Sequence, residues 1–290
     1  MCALTLDNQT TIVRPIVAAD APLLLRLLED AWRVHVRIAW GSLKRRIRSM
    51  RGVLAEDRAG VRGFMLIEAQ PPQTALIIAA GLRDTWGVQP YLKLLLPELE
   101  RVAIVNNLVA LACVGYENWL VDNLQEFGFA TQEWILTFER SGNGPLPTAS
   151  AETARVRSAH RNDLSSLLTL DVLAFDNFWR KSAGYFSEAL AHAGSFTVAE
   201  LAGQIVGYEW GEIYHQHAHL TRLAVHPGYQ GRGIGSQLLR RAISDVLATG
   251  VNLITLNTQE TNYRSQALYL RFGFNSTKQR IPVLLKKIET

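Results

Sequence analysis

Cysteine is scarce in this chain: Cys2 and Cys113 are the only two among 290 residues. Two thiols so far apart exclude a disulfide scaffold and a cysteine-based metal cluster, and they point to a reducing compartment. Long apolar runs are missing too. Although 48% of the residues are hydrophobic, no run approaches the roughly 18 that a membrane-spanning helix needs, so no span is expected. Met1 to Thr11 lacks a basic stretch followed by an apolar core, which argues against a secretory signal and for a cytoplasmic protein. Glycine and proline crowd together in one extended stretch only, Arg140 to Thr153. That stretch is expected to be a linker, dividing the chain into residues 1–140, a connection at 141–153, and residues 154–290.

The halves echo each other. Ile12-Val-Arg-Pro-Ile-Val-Ala-Ala-Asp20 before a leucine-rich helix matches Arg155-Val-Arg-Ser-Ala-His-Arg-Asn-Asp163 before another, with Arg14 and Arg157 offset by 143. Each half opens as strand, capping Asp, helix. At the far end Phe127-Gly-Phe129 and Phe272-Gly-Phe274 are offset by 145, so the register is nearly constant and the pattern is that of a duplicated domain.

Charge is distributed unevenly between the copies. Residues 1–145 hold 15 Lys/Arg against 15 Asp/Glu, and residues 146–290 hold 15 against 11, so the whole net +4 lies in the second half. The dense basic run Lys44-Arg-Arg-Ile-Arg-Ser-Met-Arg51 is read as a solvated helix face, and nucleic acid is not an expected partner.

The second half carries the most informative segment, Leu220-Thr-Arg-Leu-Ala-Val-His-Pro-Gly-Tyr-Gln-Gly-Arg-Gly-Ile-Gly-Ser236. An apolar strand runs into a glycine-rich turn and then into an amphipathic helix. Gly231, Gly233 and Gly235 allow close approach of the backbone, and a helix beginning near Ile234 aims its unpaired N–H groups at a bound anion. Ser236-Gln237 stands where a P-loop needs Lys-Ser/Thr, and the glycine spacing is not G-x-G-x-x-G. The expected ligand is therefore a diphosphate other than those of P-loop or dinucleotide-binding sites.

Gln230-Gly-Arg-Gly233-Ile-Gly235 fits Q/R-x-x-G-x-G/A, the pyrophosphate loop of the GNAT-type N-acetyltransferase superfamily, which this half resembles. Asn262, Tyr269, Gly273 and Phe274 fall at the spacing of a second block of that family, N-x₆-Y-x-x-x-G-F. The resemblance implies two tandem α/β folds, each with a mixed, mostly antiparallel sheet flanked by helices and splayed where acetyl-coenzyme A enters. In the second copy strands are expected near 155–158, 195–200, 204–213, 217–226, 252–258 and 278–288. Helices are expected near 161–173, 182–192, 234–249 and 263–272. The first copy lacks the glycine pattern, carries Pro90 there, and has Leu124 and Glu117 where Tyr269 and Asn262 stand. It is expected to be degenerate, completing the substrate groove or a homodimer.

The same resemblance implies the site. Backbone groups of Leu223, Ala224 and Val225 would bind the thioester carbonyl and the pantetheine amides. Gln230, Gly231, Arg232, Gly233, Ile234, Gly235 and Ser236 would hold the diphosphate, with Asn262 and Arg264 on the arm and the phosphates, and Arg240 and Arg241 nearby. Tyr269 would face the sulfur as general acid. His217 and His219, two apart on the motif strand, are base candidates; family members often have Glu there, so His is a departure, and both also suit a hairpin end. Glu209 and Glu212 on the preceding strand can act through water or hold a cationic acceptor. Phe175, Phe178 and Trp179 in the 174–186 segment suggest an apolar or peptide-like amine acceptor, with Asp171 and Asp176 available to an ammonium. The expected activity is direct acetyl transfer to a primary amine of a small molecule or peptide N-terminus. The alternative is a non-catalytic acyl-coenzyme A sensor or partner-binding module.

Overall fold

The computed structural model describes residues 11–38, 40–83, 85, 87–147 and 154–289. Cys2, the N-terminal segment and residues 148–153 of the expected linker lie outside the described residues.

The chain forms two units, one running to Trp134 and taking back Ile281 onward, the other spanning Ile135–Arg280. In the first unit come β1 (Ile12–Pro15), α1 (Ala21–Asp30), β2 (Arg33–Val36), α2 (Trp40–Arg46), β3 (Arg51–Asp57), β4 (Gly60–Gln70), β5 (Thr74–Leu82), α3 (Val88–Val105), β6 (Ala110–Val114) and α4 (Asn118–Leu124). β7 (Ala130–Ser141) leads out of it. The second unit holds β8 (Arg155–Ser158), α5 (Leu164–Ala174), α6 (Ala183–His192), β9 (Ser195–Leu201), β10 (Gln204–Ile213), β11 (Ala218–Val225), α7 (Ile234–Ala248), β12 (Leu253–Gln259) and α8 (Tyr263–Arg271). β13 (Asn275–Lys287) leads back.

Those bounds depart from the expected division at 140 and 154. From Ile135 to Ser141, β7 pairs antiparallel with β12, while Val283–Lys287 of β13 pairs with β6. Each sheet thus takes a strand from the other half of the chain. Strand periodicity reports which face is buried and carries no information about which edge the strand joins, so the exchange was invisible in the sequence.

In the second unit the antiparallel run β8-β9-β10-β11 continues into a short parallel pairing with β12. α7 buries Ile234, Leu238, Leu239, Ala242, Ile243 and Val246 at helical spacing against one face. α5 and α6 cover the other face, where the Phe186 ring meets Tyr208 and Trp210 edge-on at 5.6 and 5.1 Å. Each such buried side chain contributes roughly 1.5–3 kcal/mol by leaving water. α3 does the equivalent in the first unit with Tyr91, Leu92, Leu95, Leu96, Leu99 and Ala103.

The duplication is visible in individual contacts. Arg14 grips both Asp20 oxygens at 2.8 Å and reaches Glu56 at 2.8 Å. Arg157 grips Asp163 at 2.8 and 3.0 Å and reaches Glu200 at 3.0 Å. Both Asp side chains also accept the backbone N–H three residues earlier, closing the turn ahead of the helix. Only Lys44–Arg46 of the basic run lies on α2, the rest following in a 3-10 turn and the start of β3; Lys44 pairs with Glu29 and Arg46 with Glu68, while Leu43 and Ile47 point inward.

Candidate active site

β11 alternates strictly, with Ala218, Leu220, Arg222 and Ala224 buried and the residues between them half-buried. Its register with β10 skips Thr221, a bulge that bends the strand. Pairing with β12 covers only Ala218–Leu220 against Ile254–Leu256. Beyond Leu220 the two strands separate. The His226 N–H donates to Val206 O on the β10 side. Since N–H groups alternate sides along a strand, those of Leu223 and Val225 point the other way, into the gap. The opening between β11 and β12 therefore begins after Leu220, and Leu223 and Val225 lie along its edge.

The first unit differs at the matching place. β5 pairs with β6 only over Thr74–Ile77, but its Ala79–Leu82 section, on that same side, is taken by β2 through Val36–Arg33. The opening is filled by the chain itself.

At the end of β11 the chain turns through Pro227–Tyr229, held by His226 Nδ1 accepting the Gly228 N–H at 3.1 Å. Gly231 and Gly233 have φ of 79° and 84°, in the left-handed region that glycine alone enters freely. Gly233 is the N-cap of α7 and, having no side chain, cannot cap it, so the first turn presents the N–H groups of Ile234, Gly235 and Ser236 with the positive end of the helix dipole. Gly235 is different: a Cβ there would make ordinary 3.6 Å contacts with Leu268 and Val225. Gln230 donates to Val225 O at 3.1 Å and accepts from Arg264, tying strand end to α8. Arg271, also on α8, donates to Ser236 Oγ, and Arg232 stacks 5.1 Å from the Tyr229 ring. Arg271 was not singled out from the sequence; seven residues after Arg264, it lies on the same face of α8. Arg241 is engaged by Asp245 one turn along α7 at 2.8 Å, and Arg240 Nη2 is buried without a hydrogen-bond partner.

Asn262 is the N-cap of α8, its side chain accepting the Ser265 N–H at 3.2 Å. Tyr269 is 7% exposed and packs against Phe138 and Phe274, with centroids 6.2 and 6.0 Å away. Burial pushes its hydroxyl up to about 12, a hydrogen bond with Ser265 acting in the opposite sense, so it keeps its proton at neutral pH.

The four base candidates separate. Glu212 and His219 face each other across the β10–β11 ladder. The His219 Nδ1 lies 2.9 Å from Thr255 Oγ1, which itself donates to Ala218 O at 3.3 Å. With its proton on that carbonyl, the Thr255 hydroxyl oxygen is an acceptor suited to an Nδ1–H tautomer of His219. The Glu212 carboxylate accepts from the Tyr214 hydroxyl. His217 does not share a strand face with His219: β11 begins at Ala218, and His217 sits in the hairpin turn, stacked 4.7 Å from Tyr214. Glu209 is paired in register with Leu223 and therefore lies on the α7 face, fully buried. Thr197 and Ser195 donate to its Oε2 at 2.9 and 3.4 Å, and Oε1 has no partner. Desolvation pushes this carboxyl up to about 8, against the two hydroxyl bonds.

On the α5–α6 face the Arg222 guanidinium lies 3.6 Å over the Phe175 ring, and Phe178 meets Trp179 edge-on at 5.0 Å. All three aromatics are half-buried, and Phe175 also packs against the α5–α6 core. Asp171 is 1% exposed and paired with Arg222 at 2.6 Å. The expectation that it meets an ammonium is corrected: its charge is already consumed inside the protein. Asp176 is exposed.

Among the described residues, no helix is long and apolar enough to cross a membrane, and no group of His, Cys, Asp or Glu is arranged to hold a metal.

Comparison with known proteins follows the same lines. Residues 163–274 match the model of the acetyltransferase (GNAT) family. A protein of Bacillus subtilis (strain 168), assigned as a ribosomal protein bS18-alanine N-acetyltransferase, is 26% identical over 120 residues, 41% of this chain and 80% of that one. Over 97% of the chain the fold is similar to a GCN5-related N-acetyltransferase from Sphaerobacter thermophilus (TM-score 0.67, 17% identity, 96% of that chain). It is also similar to a tandem GNAT protein from the clavulanic acid biosynthesis pathway (TM-score 0.71, 13% identity, 97% of this chain and 99% of that one). The glycine turn, the splayed strand and the α8 block all fall within the matched residues, and over that segment the chain is similar to the acetyltransferase (GNAT) family.

Proposed function

We propose that the second unit transfers an acetyl group from acetyl-coenzyme A directly to a primary amine within a ternary complex. The match of residues 163–274 to the acetyltransferase family model supports acyl transfer in general. The observation that carries the finer statement is the coincidence of two backbone features: the open β11 edge at Leu223 and Val225, and the uncapped first turn of α7 next to it. A diphosphate suits that turn, with Arg264, Arg271 and Arg232 around it, and a pantetheine arm suits an unpaired strand edge because its amides can complete the ladder.

In this mechanism the Leu223 and Val225 amides orient the donor and polarise its carbonyl. His219 Nε2 takes the proton of the incoming ammonium, with Glu212 opposite to hold the cation before transfer. Tyr269, protonated at working pH, supplies a proton to the departing thiolate. Phe175, Phe178 and Trp179 line the acceptor side, which favours an amine with an apolar neighbour. The Bacillus subtilis relative makes N-terminal alanine peptides the first acceptors to try. The first unit, its corresponding opening filled by β2, serves as structure and takes no donor.

A non-catalytic acyl-coenzyme A sensor is favoured by one observation: Glu209 is sealed under α7, which leaves no strand glutamate as base on that side. The discriminating experiment is calorimetry with acetyl-coenzyme A followed by thiol release against alanyl peptides and polyamines. Binding with amine-dependent release supports the enzyme, binding without release the sensor, and absence of binding removes both. His219→Gln is expected to lower kcat about 100-fold with donor affinity unchanged.

A further inference from the structure

Arg222 lies on β11 immediately before Leu223, one of the two residues whose amides edge the gap, and its side chain turns to the opposite face of the sheet from Leu223. It is 8% exposed. Nε donates to Asp171 Oδ1 at 2.7 Å, Nη2 reaches the same oxygen at 2.6 Å, and Nη2 also donates to Trp179 O at 2.8 Å. The guanidinium plane is stacked on Phe175. The other Asp171 oxygen accepts the Lys181 N–H at 2.9 Å, and the Tyr208 hydroxyl donates to Oδ1. Arg180 closes the loop on itself by donating to Phe175 O at 3.2 Å and Val172 O at 3.1 Å.

A buried ion pair of this kind gains little net stability over a well-packed apolar pair, because desolvation offsets most of the attraction. What it does supply is direction. Besides the Tyr208 hydroxyl on β10, the pair holds three points of the Phe175–Lys181 loop: the ring of Phe175, the carbonyl of Trp179, the amide of Lys181. The anchor for all three is the strand that edges the gap, at the residue next to Leu223.

We propose that Arg222, through Asp171, is a positioning residue for acceptor specificity: it locks the aromatic loop to β11 so that an apolar amine is held at a fixed distance from the donor carbonyl. The proposal rests on the acetyl-transfer function above. Arg222 touches neither reactant, so its loss changes where the aromatic loop stands and leaves the donor site intact.

The test uses the full chain, an alanine-terminated hexapeptide as acceptor, and three variants: Arg222→Lys, Asp171→Asn and the milder Phe175→Leu. Hydrogen exchange of the 175–181 amides is expected to quicken at least tenfold in Asp171→Asn, most at Lys181, with β9 and β10 unchanged. KM for the peptide is expected to rise about tenfold or more in all three, least in Arg222→Lys, with kcat within about threefold and acetyl-coenzyme A affinity within about twofold. Unchanged loop exchange, or a parallel loss of donor affinity, overturns the proposal. Should either buried variant fail to fold, Phe175→Leu carries the KM test alone, and an unchanged KM there overturns it equally. If wild type binds no donor, acetyl transfer fails as a function while loop exchange still judges whether the network orders the loop.

Discussion

Nδ1 of the fully buried His35 lies 2.5 Å from the Glu117 carboxylate at the N-cap of α4. Its counterpart in the second unit is Asn262 at the N-cap of α8, which spends its side chain on the helix. In the first unit the cap position instead fastens β2, the strand lying along β5 where the second unit has a gap. One donor per chain is therefore expected: calorimetry should give a stoichiometry near one, and two would contradict the self-filled opening. Glu117→Ala should cost about 1–3 kcal/mol in denaturant unfolding, by stranding a buried imidazole, and leave donor affinity unaltered.

The three glycines of the turn should not behave alike. Gly233 is in the left-handed region at 84°, where a side chain costs roughly 1–2 kcal/mol, while Gly235 has room for a methyl group. Gly233→Val should weaken acetyl-coenzyme A binding tenfold or more, and Gly235→Ala by no more than about threefold. Equal effects in a titration would mean the turn is recognised by shape alone.

Tyr269→Phe keeps the ring among Phe138 and Phe274 and removes only the hydroxyl. A fall in kcat of about 100-fold at unchanged KM is expected if that oxygen delivers a proton. Because burial lifts the group to about 12, Tyr269 should produce no alkaline limb in the wild-type pH–rate profile below about pH 11. A variant altered in thermal stability but with full kcat would mark Tyr269 as a packing residue only.

Glu209 couples stability to pH. Its native pKa, raised from 4.5 to about 8, means that the folded chain holds a proton the unfolded chain has released. Stability from this group is complete below pH 4.5, declines as pH rises from 4.5 to about 8, and levels off above, by on the order of 5 kcal/mol at most. Glu209→Gln should flatten that slope in urea unfolding at pH 5 and pH 8. Identical slopes in variant and wild type would show that the carboxyl is charged in the fold.

Much of the second unit could be read directly. Leu253-Ile-Thr-Leu-Asn257 alternates, the glycine turn stops a strand and starts a helix, and Asn262 caps the helix expected from it. These are short-range properties, fixed by backbone sterics and capping chemistry within a few residues. His217 shows the limit even there. A hairpin one residue longer than expected moved it off the strand, and period-two logic fails at a strand end.

By itself the sequence determined the α/β repeat, the glycine turn and the order of elements in the second unit, because each follows from periodicity or from φ values only glycine accepts. Tertiary structure decided the rest. Pairing of β7 with β12 and of β13 with β6, the filling of the first unit's opening by β2, the burial of Glu209 and the capture of Asp171 by Arg222 all join residues tens to well over a hundred positions apart. Which edges meet, and which charges find each other out of water, is settled by the summed burial of whole faces and by desolvation, neither of which any local pattern encodes.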